Sequence, residues 1–255
     1  MHKIVTPISN LFKTVDSQEL IIELSDGLEC RDHTIDFNTG FQEVFHCEIQ
    51  PIHEITDEEF EYIIQIKLRK KDLKLVSFHA ASCYSAPVII EGIFQPGGKR
   101  YSRGEMLLNA EKNIKRLKEI FGSGVKIAIE NNNYYASAAY DIVGDPEFIS
   151  EVIHDNDISF LLDIAHAQIS AHNKGMTYEN YKAALPLKKC IQLHICKFAV
   201  NEFNTAYDAH LPPDKEVFDE IKELLKSSPV EYLTIEYYKD INILTNALKE
   251  LRELL

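Results

Sequence analysis

Five apolar runs in this chain end on an imidazole or a carboxylate. Leu75–Phe78 leads into His79, Val125–Ile129 into Glu130, and Phe160–Leu162 into Asp163. Ile191–Leu193 leads into His194, and Tyr232–Ile235 into Glu236. His166, Asp208 and His210 follow within a few residues of such ends. An ionised group at the end of a buried run must be paired, ligate a metal or carry a desolvation cost. The nearest cations in sequence, Lys197 and Lys239, are too few to pair them all, so a metal centre is expected. Mixed imidazole and carboxylate donors suit iron, manganese, zinc or cobalt better than calcium or magnesium alone. The expected ligands are His79, Glu130, Asp163, His166, His194, Asp208, His210 and Glu236. That is more than one ion accepts, so two or three divalent ions are expected, with Glu130 or Glu236 bridging. Glu130, Glu236 and His194 are the residues expected to carry the reaction.

Two local motifs support the set. Asp163-Ile-Ala-His166 places a carboxylate and an imidazole at a strand end and in the turn after it. Asp208-Ala-His210 puts two donors on one side of extended backbone, ahead of a stiffening Pro212-Pro213. Cys196 lies two residues past His194, so strand alternation aims both at one face. His53 follows another strand candidate and is a possible further ligand. Asn131, Asn132 and Asn133 follow Glu130 directly and could orient a ligand or a substrate.

Short apolar runs with β-branched residues read as buried strands. Strand candidates fall at 3–8, 20–25, 44–50, 75–79, 125–130, 159–164, 190–195 and 232–237. Helices fall between them. Thr56 and Glu59 form a capping box before a run to Ile66. Apolar residues at 107, 110, 114, 117 and 121 make a helical stripe. Asp145-Pro146 reads as N-cap and N1. Thr177, Asp214 and Asp240 open three more helices. Eight strands alternating with long crossovers imply parallel pairing. The expected fold is an α/β protein, a (β/α)8 TIM barrel over residues 1–255 as one domain. Its chemistry would lie at the C-terminal ends of the strands. Residues 26–43 and 80–103 are read as long loops of the kind that cover substrates.

The hydrophobic content of 45% and charged content of 26% are those of an ordinary globular chain. A net charge of −13 argues against a surface that grips nucleic acid phosphates. No stretch reaches the roughly 18 apolar residues of a membrane span. Five cysteines without a CxxC pair, and no signal-peptide pattern, suggest reduced thiols in a cytoplasm.

At these residues the chain resembles the xylose-isomerase-like TIM barrels. That superfamily includes sugar isomerases and epimerases, endonuclease IV, and the DUF692 family of multinuclear non-heme iron-dependent oxidative enzymes. The likeness to DUF692 is the most extended, covering about residues 75–245. Ile129-Glu130-Asn131 is similar to its strand-end LEN motif, and Pro146–Ile149 through Leu161-Leu162-Asp163 to its helix and LLLD strand. Asn173-Lys174-Gly175, Tyr181, Leu185-Pro186-Leu187 and Gln192-Leu193-His194 resemble its N-x-G…Y…LP…HLAG stretch. Asp208-Ala209-His210 resembles its DTH, and Ile235-Glu236 its final IE. His166 stands where that family usually has asparagine, which makes the motif DxxH as in endonuclease IV and the epimerases. Those families place one more histidine before Glu130, for which His53 is the candidate. The resemblance implies two or three irons, O2, and a cysteine-containing peptide presented by a partner protein. A sugar isomerase or epimerase acting on a small molecule is the alternative. An abasic-site nuclease is a further one, which the acidic charge disfavours.

Overall fold

A computed structural model describes residues 2–255. In chain order the strands are β1 (Lys3–Pro7), β2 (Gly27–Arg31), β3 (Val44–Cys47), β4 (Leu75–Phe78), β5 (Val88–Ile90), β6 (Ile93–Gln95), β7 (Lys126–Glu130), β8 (Ser159–Asp163), β9 (Cys190–Ile195), β10 (Lys197–Val200), β11 (Ala206–Leu211) and β12 (Tyr232–Ile235). The helices are α1 (Val15–Leu24), α2 (Asp57–Arg69), α3 (Arg103–Phe121), α4 (Pro146–Asp155), α5 (Ile164–Asn173), α6 (Tyr178–Ala183), α7 (Lys215–Ser227) and α8 (Ile241–Leu254). Eight strands close a parallel barrel in the order β1-β12-β9-β8-β7-β4-β3-β2. The remaining four form two antiparallel hairpins, β5-β6 and β10-β11. Among the described residues no helix is long and apolar enough to cross a membrane.

Alternation along each strand builds the barrel in layers. Val5, Val44, Leu75, Ala128, Leu161, Ile191 and Tyr232 form a separate buried cluster that plugs the N-terminal end. Their neighbours Phe45, Val76, Ile129, Phe160 and Leu162 belong to the larger core between strands and helices. Two residues beyond the plug, the same inward rows carry His46, Ser77, Glu130 and Asp163. On β9 the register against β8 shifts between Phe160 and Leu161, so that Cys190 and Gln192 face consecutive partners. That bulge lets Ile191 fill the plug while Gln192 and His194 point inward above it.

The helix signals are carried through. Thr56 with Glu59 and Ser102 with Glu105 form complete capping boxes on α2 and α3. Asp214 and Asp240 cap α7 and α8. Asp145 precedes α4 without a side-chain cap bond, because its carboxylate pairs with Lys174 at 2.6 Å. One strand was misplaced. Of the expected strand 20–25, residues 20–24 belong to helix α1, whose Ile21 is buried, and the second strand is β2 in the segment read as loop. The 80–103 segment is not plain loop either: it holds β5-β6, turned by Glu91 (φ 51°) and Gly92 (φ 79°), the left-handed pair a two-residue hairpin needs. Truncating the plug with Leu161→Ala should cost about 2–5 kcal/mol of stability, read as a lowered denaturant midpoint on metal-free protein.

Candidate metal centre

All eight side chains expected as ligands reach one site at the C-terminal mouth of the barrel. Glu130, at the end of β7, is its hub. Its Oε2 lies 3.1 Å from His79 Nδ1 and 3.4 Å from His46 Nε2, and its Oε1 lies 3.1 Å from His194 Nδ1 and 3.8 Å from His166 Nδ1. On the other side Glu236 lies 3.3 Å from His194 Nδ1 and 3.5 Å from His210 Nε2. Asp208 links His210 Nδ1 at 3.3 Å with His166 Nε2 at 3.6 Å. Four overlapping sets of three residues bring donor atoms within 4.8 Å of one another: His46/His79/Glu130, Glu130/Asp163/His166, Glu29/His194/Glu236 and Cys196/His210/Glu236.

Hydrogen bonds outside these sets fix which ring nitrogen faces inward. His46 Nδ1 is taken by Ser77 Oγ at 2.8 Å, leaving Nε2 toward Glu130. His166 Nδ1 lies 3.1 Å from the Asn131 carbonyl oxygen, leaving Nε2 toward Asp208. His194 Nε2 faces Glu29 at 3.1 Å, leaving Nδ1 at the centre. Asp163 serves twice: Oδ1 caps α5 by accepting from His166 N at 2.7 Å, and Asn131 clamps the Asp163 backbone from both sides. The orienting role expected for the asparagines therefore falls on Asn131, while Asn132 ties down the Ala81 carbonyl.

Several residues were not foreseen. His46 on β3 joins the cluster, its ring tilted against His79 at 4.3 Å and edge-on to His194 at 5.0 Å between centroids. His53, the sequence candidate, lies outside the cluster: its Nε2 bonds the Ser82 carbonyl at 2.7 Å and its ring stacks on Tyr101. Glu29 and Arg31, both on β2, add a carboxylate and a guanidinium. Arg31 pairs with Glu29 at 2.9 Å and also with Glu236. The cation that meets the cluster is therefore Arg31, rather than Lys197 or Lys239, the nearest to the strand ends in sequence. Those two lysines bind Asp214 and the Ala209 carbonyl instead. The alternation of Gly27, Glu29 and Arg31 toward the barrel interior could have flagged the pair, had 27–31 been read as a strand.

Electrostatics divides the acids. Burial opposes ionisation of Glu29, but His194 and Arg31 overcome it and hold its pKa at about 2. Burial opposes Glu130 and Glu236 too, yet the surrounding imidazoles, with Arg31 beside Glu236, hold both well below the usual carboxylate range. Asp163 goes the other way: burial, reinforced by Glu236, Glu130 and Asp208, outweighs His166 and lifts it to about 7. His166 and His194 resist their own burial and are held well above the ordinary imidazole value by these carboxylates. Without metal, the protons on these rings are part of the charge that balances the acids.

A family model described as RiPP precursor modification enzyme MbnB/TglH/ChrH matches residues 101–254, more than half of the chain. The chain belongs to this family. That agrees with the DUF692 resemblance read from its motifs. A UPF0276 protein of Vibrio parahaemolyticus is 26% identical over 120 residues, covering 46% of this chain and 42% of that protein. One from Anaeromyxobacter sp. is 31% identical over 91 residues, covering 36% and 31%. The chain thus matches less than half the length of these relatives. Among solved structures, 3-keto-D-glucoside 4-epimerase YcjR from E. coli superposes over 100% of this chain and 99% of its own, with a TM-score of 0.61 at 14% identity. The IolI protein with a bound zinc atom covers 99% and 96%, with a TM-score of 0.64 at 15% identity. At such identity the likeness establishes the fold alone, a xylose-isomerase-like TIM barrel.

Arg31→Met should destabilise the metal-free protein by about 3–5 kcal/mol, because it leaves Glu29 and Glu236 buried without their cation. Chemical denaturation measures this, and Glu29→Gln added to Arg31→Met should recover part of the loss.

Proposed function

We propose that the protein is a metal-dependent oxidative enzyme of the MbnB/TglH/ChrH type, which binds two or three divalent ions, iron by preference, and modifies a cysteine-containing peptide. The observation that carries this reading is a donor set left incomplete by the protein's own bonds. Asp163 Oδ2 and His79 Nε2, on two residues of the imidazole and carboxylate cluster, are buried without a hydrogen-bond partner. The nearest carboxylate to His79 Nε2, that of Glu48, is 3.7 Å away and largely exposed. Divalent cations held at the two donor sets that include His79 and Asp163 would give such atoms partners and take over the charge balance that protons on His166 and His194 provide.

In this reading His46, His79, Glu130, Asp163, His166, His194, Asp208, His210 and Glu236 hold the metal. Glu130 and Glu236, each shared among several imidazoles, would serve as common ligands of the centre. Iron, when bound, would supply the one-electron and O2 chemistry that side chains lack. Manganese or zinc would fit the same donors less selectively. The chain's own residues set the frame. Glu29 accepts from His194 Nε2 and from Gln192 at 2.7 Å, which holds the His194 ring in one tautomer and orientation. Arg31 and the Tyr238 hydroxyl, 3.1 Å from Glu236 Oε1, hold that carboxylate in place.

A peptide substrate suits the approach to the site. A cavity of about 510 Å3 is lined by Glu91, Gly92 and Ile93 on one hairpin, by Asn201, Thr205 and Tyr207 on the other, and ends at Asp208. The tips around it carry Ile89, Ile90 and Phe203, each more than half exposed. Two projecting hairpins with polar backbone and apolar tips offer more contact than a small sugar uses. A partner protein presenting the peptide is part of the same proposal. The epimerase-type fold and the DxxH motif keep a sugar isomerase as the second reading.

Anaerobically purified protein should contain two or more irons per chain and show an oxygen-sensitive absorption band. One manganese or cobalt with activity on ketoses would overturn the oxidative reading. Asp208→Ala combined with His210→Ala should lower the metal stoichiometry, measured by elemental analysis, with the fold checked by circular dichroism.

A further inference from the structure

Of the five cysteines, Cys196 alone joins the mouth cluster. Cys30, Cys47 and Cys190 are buried along β2, β3 and β9, and Cys83 contacts the Ile142 amide. Cys196 follows β9, two residues past His194, and has no exposed surface. Its Sγ lies 3.9 Å from Asp208 Oδ1, and it forms with His210 and Glu236 one of the four donor sets within 4.8 Å.

A buried cysteine ordinarily packs as a small hydrophobe. Cys196 instead faces the polar side chains of Asp208, His210 and Glu236. Anions gathered around a buried thiol give it no stability, whereas a divalent cation among them pairs with all of them and with the sulfur. The independent sign of a missing cation in this space is Asp163 Oδ2, wholly buried and unpartnered, and joined through His166 to Asp208.

We infer that Cys196 is a protein thiolate ligand to the ion held by His210 and Glu236, so that one of the metal positions is a mixed sulfur, nitrogen and oxygen site. This rests on the multinuclear reading above but adds a donor of a different kind. A thiolate shifts the preference of that position toward softer ions such as zinc, cobalt and ferrous iron and away from magnesium and calcium.

Anaerobic titration of the metal-free protein with cobalt(II) tests it. The parent should develop a near-ultraviolet thiolate-to-cobalt charge-transfer band, and Cys196→Ser should lose that band while still binding cobalt at the other positions. Zinc K-edge absorption of the zinc-loaded parent provides a measurement that needs no variant, and should show a sulfur scatterer at about 2.3 Å. Cobalt bound without the band, zinc bound without a sulfur scatterer, or a band that persists in Cys196→Ser would each overturn the ligand assignment and leave the metal centre standing. A parent that binds neither ion overturns the metal centre itself, and the assignment with it.

Discussion

Four imidazoles converge on the buried carboxylate of Glu130, and the mouth of the barrel is organised around that convergence. His46 and His79 meet one oxygen and His166 and His194 the other. A carboxylate that stays ionised this deep needs charged or hydrogen-bonding partners. Three of these partners are themselves held, His46 by Ser77, His166 by Asn131 and His194 by Glu29, while His79 Nε2 has no hydrogen-bond partner. The apolar plug beneath provides the rigid floor. Because side chains alternate, the strands that fill the plug place their next inward residues in the charged layer.

Charge balance within that layer is local. Glu29 and Arg31 place a fixed ion pair at one edge, and Glu236 is shared between the guanidinium, His194 and His210. Glu29 has no capacity left for a metal: Arg31 occupies one oxygen, and Gln192, His194 and Thr234 the other. It therefore acts on the centre through His194. Asp163 differs, since one oxygen caps α5 and the other is unpartnered. The contrast between a saturated acid and a half-satisfied one separates a supporting residue from a proposed ligand more sharply than burial does, as both are fully buried.

The two hairpins are built on the same mouth but by different means. The β5-β6 hairpin depends on a left-handed Glu91-Gly92 turn, and its Phe94 amide bonds the Tyr140 hydroxyl. The β10-β11 hairpin carries a register shift between Lys197 and Ala199, and His210 adopts a left-handed φ of 42°. That irregularity lets Asp208 and His210 both turn toward the cluster from a strand outside the barrel.

The sequence by itself determined the barrel class and the eight side chains that gather at its mouth. An apolar run that stops on an ionisable residue is a local pattern, and the order of those runs along the chain implies the parallel alternation. It also marked Asn131 beside Glu130 and Cys196 beside His194. It did not reveal β2, because Ile21-Ile22-Glu23-Leu24 has the apolar density of a strand although it is the last turn of α1. With β2 went Glu29 and Arg31, whose charges look like loop residues until closure aims them inward. His46 and His53 are seven residues apart and equally apt as ligands in sequence. Only the pairing of β3 with β4, which sets His46 opposite Ser77, decides between them. Closure of the barrel makes that choice, since it fixes which row of each strand faces the axis and at what height, and no local sequence pattern records either.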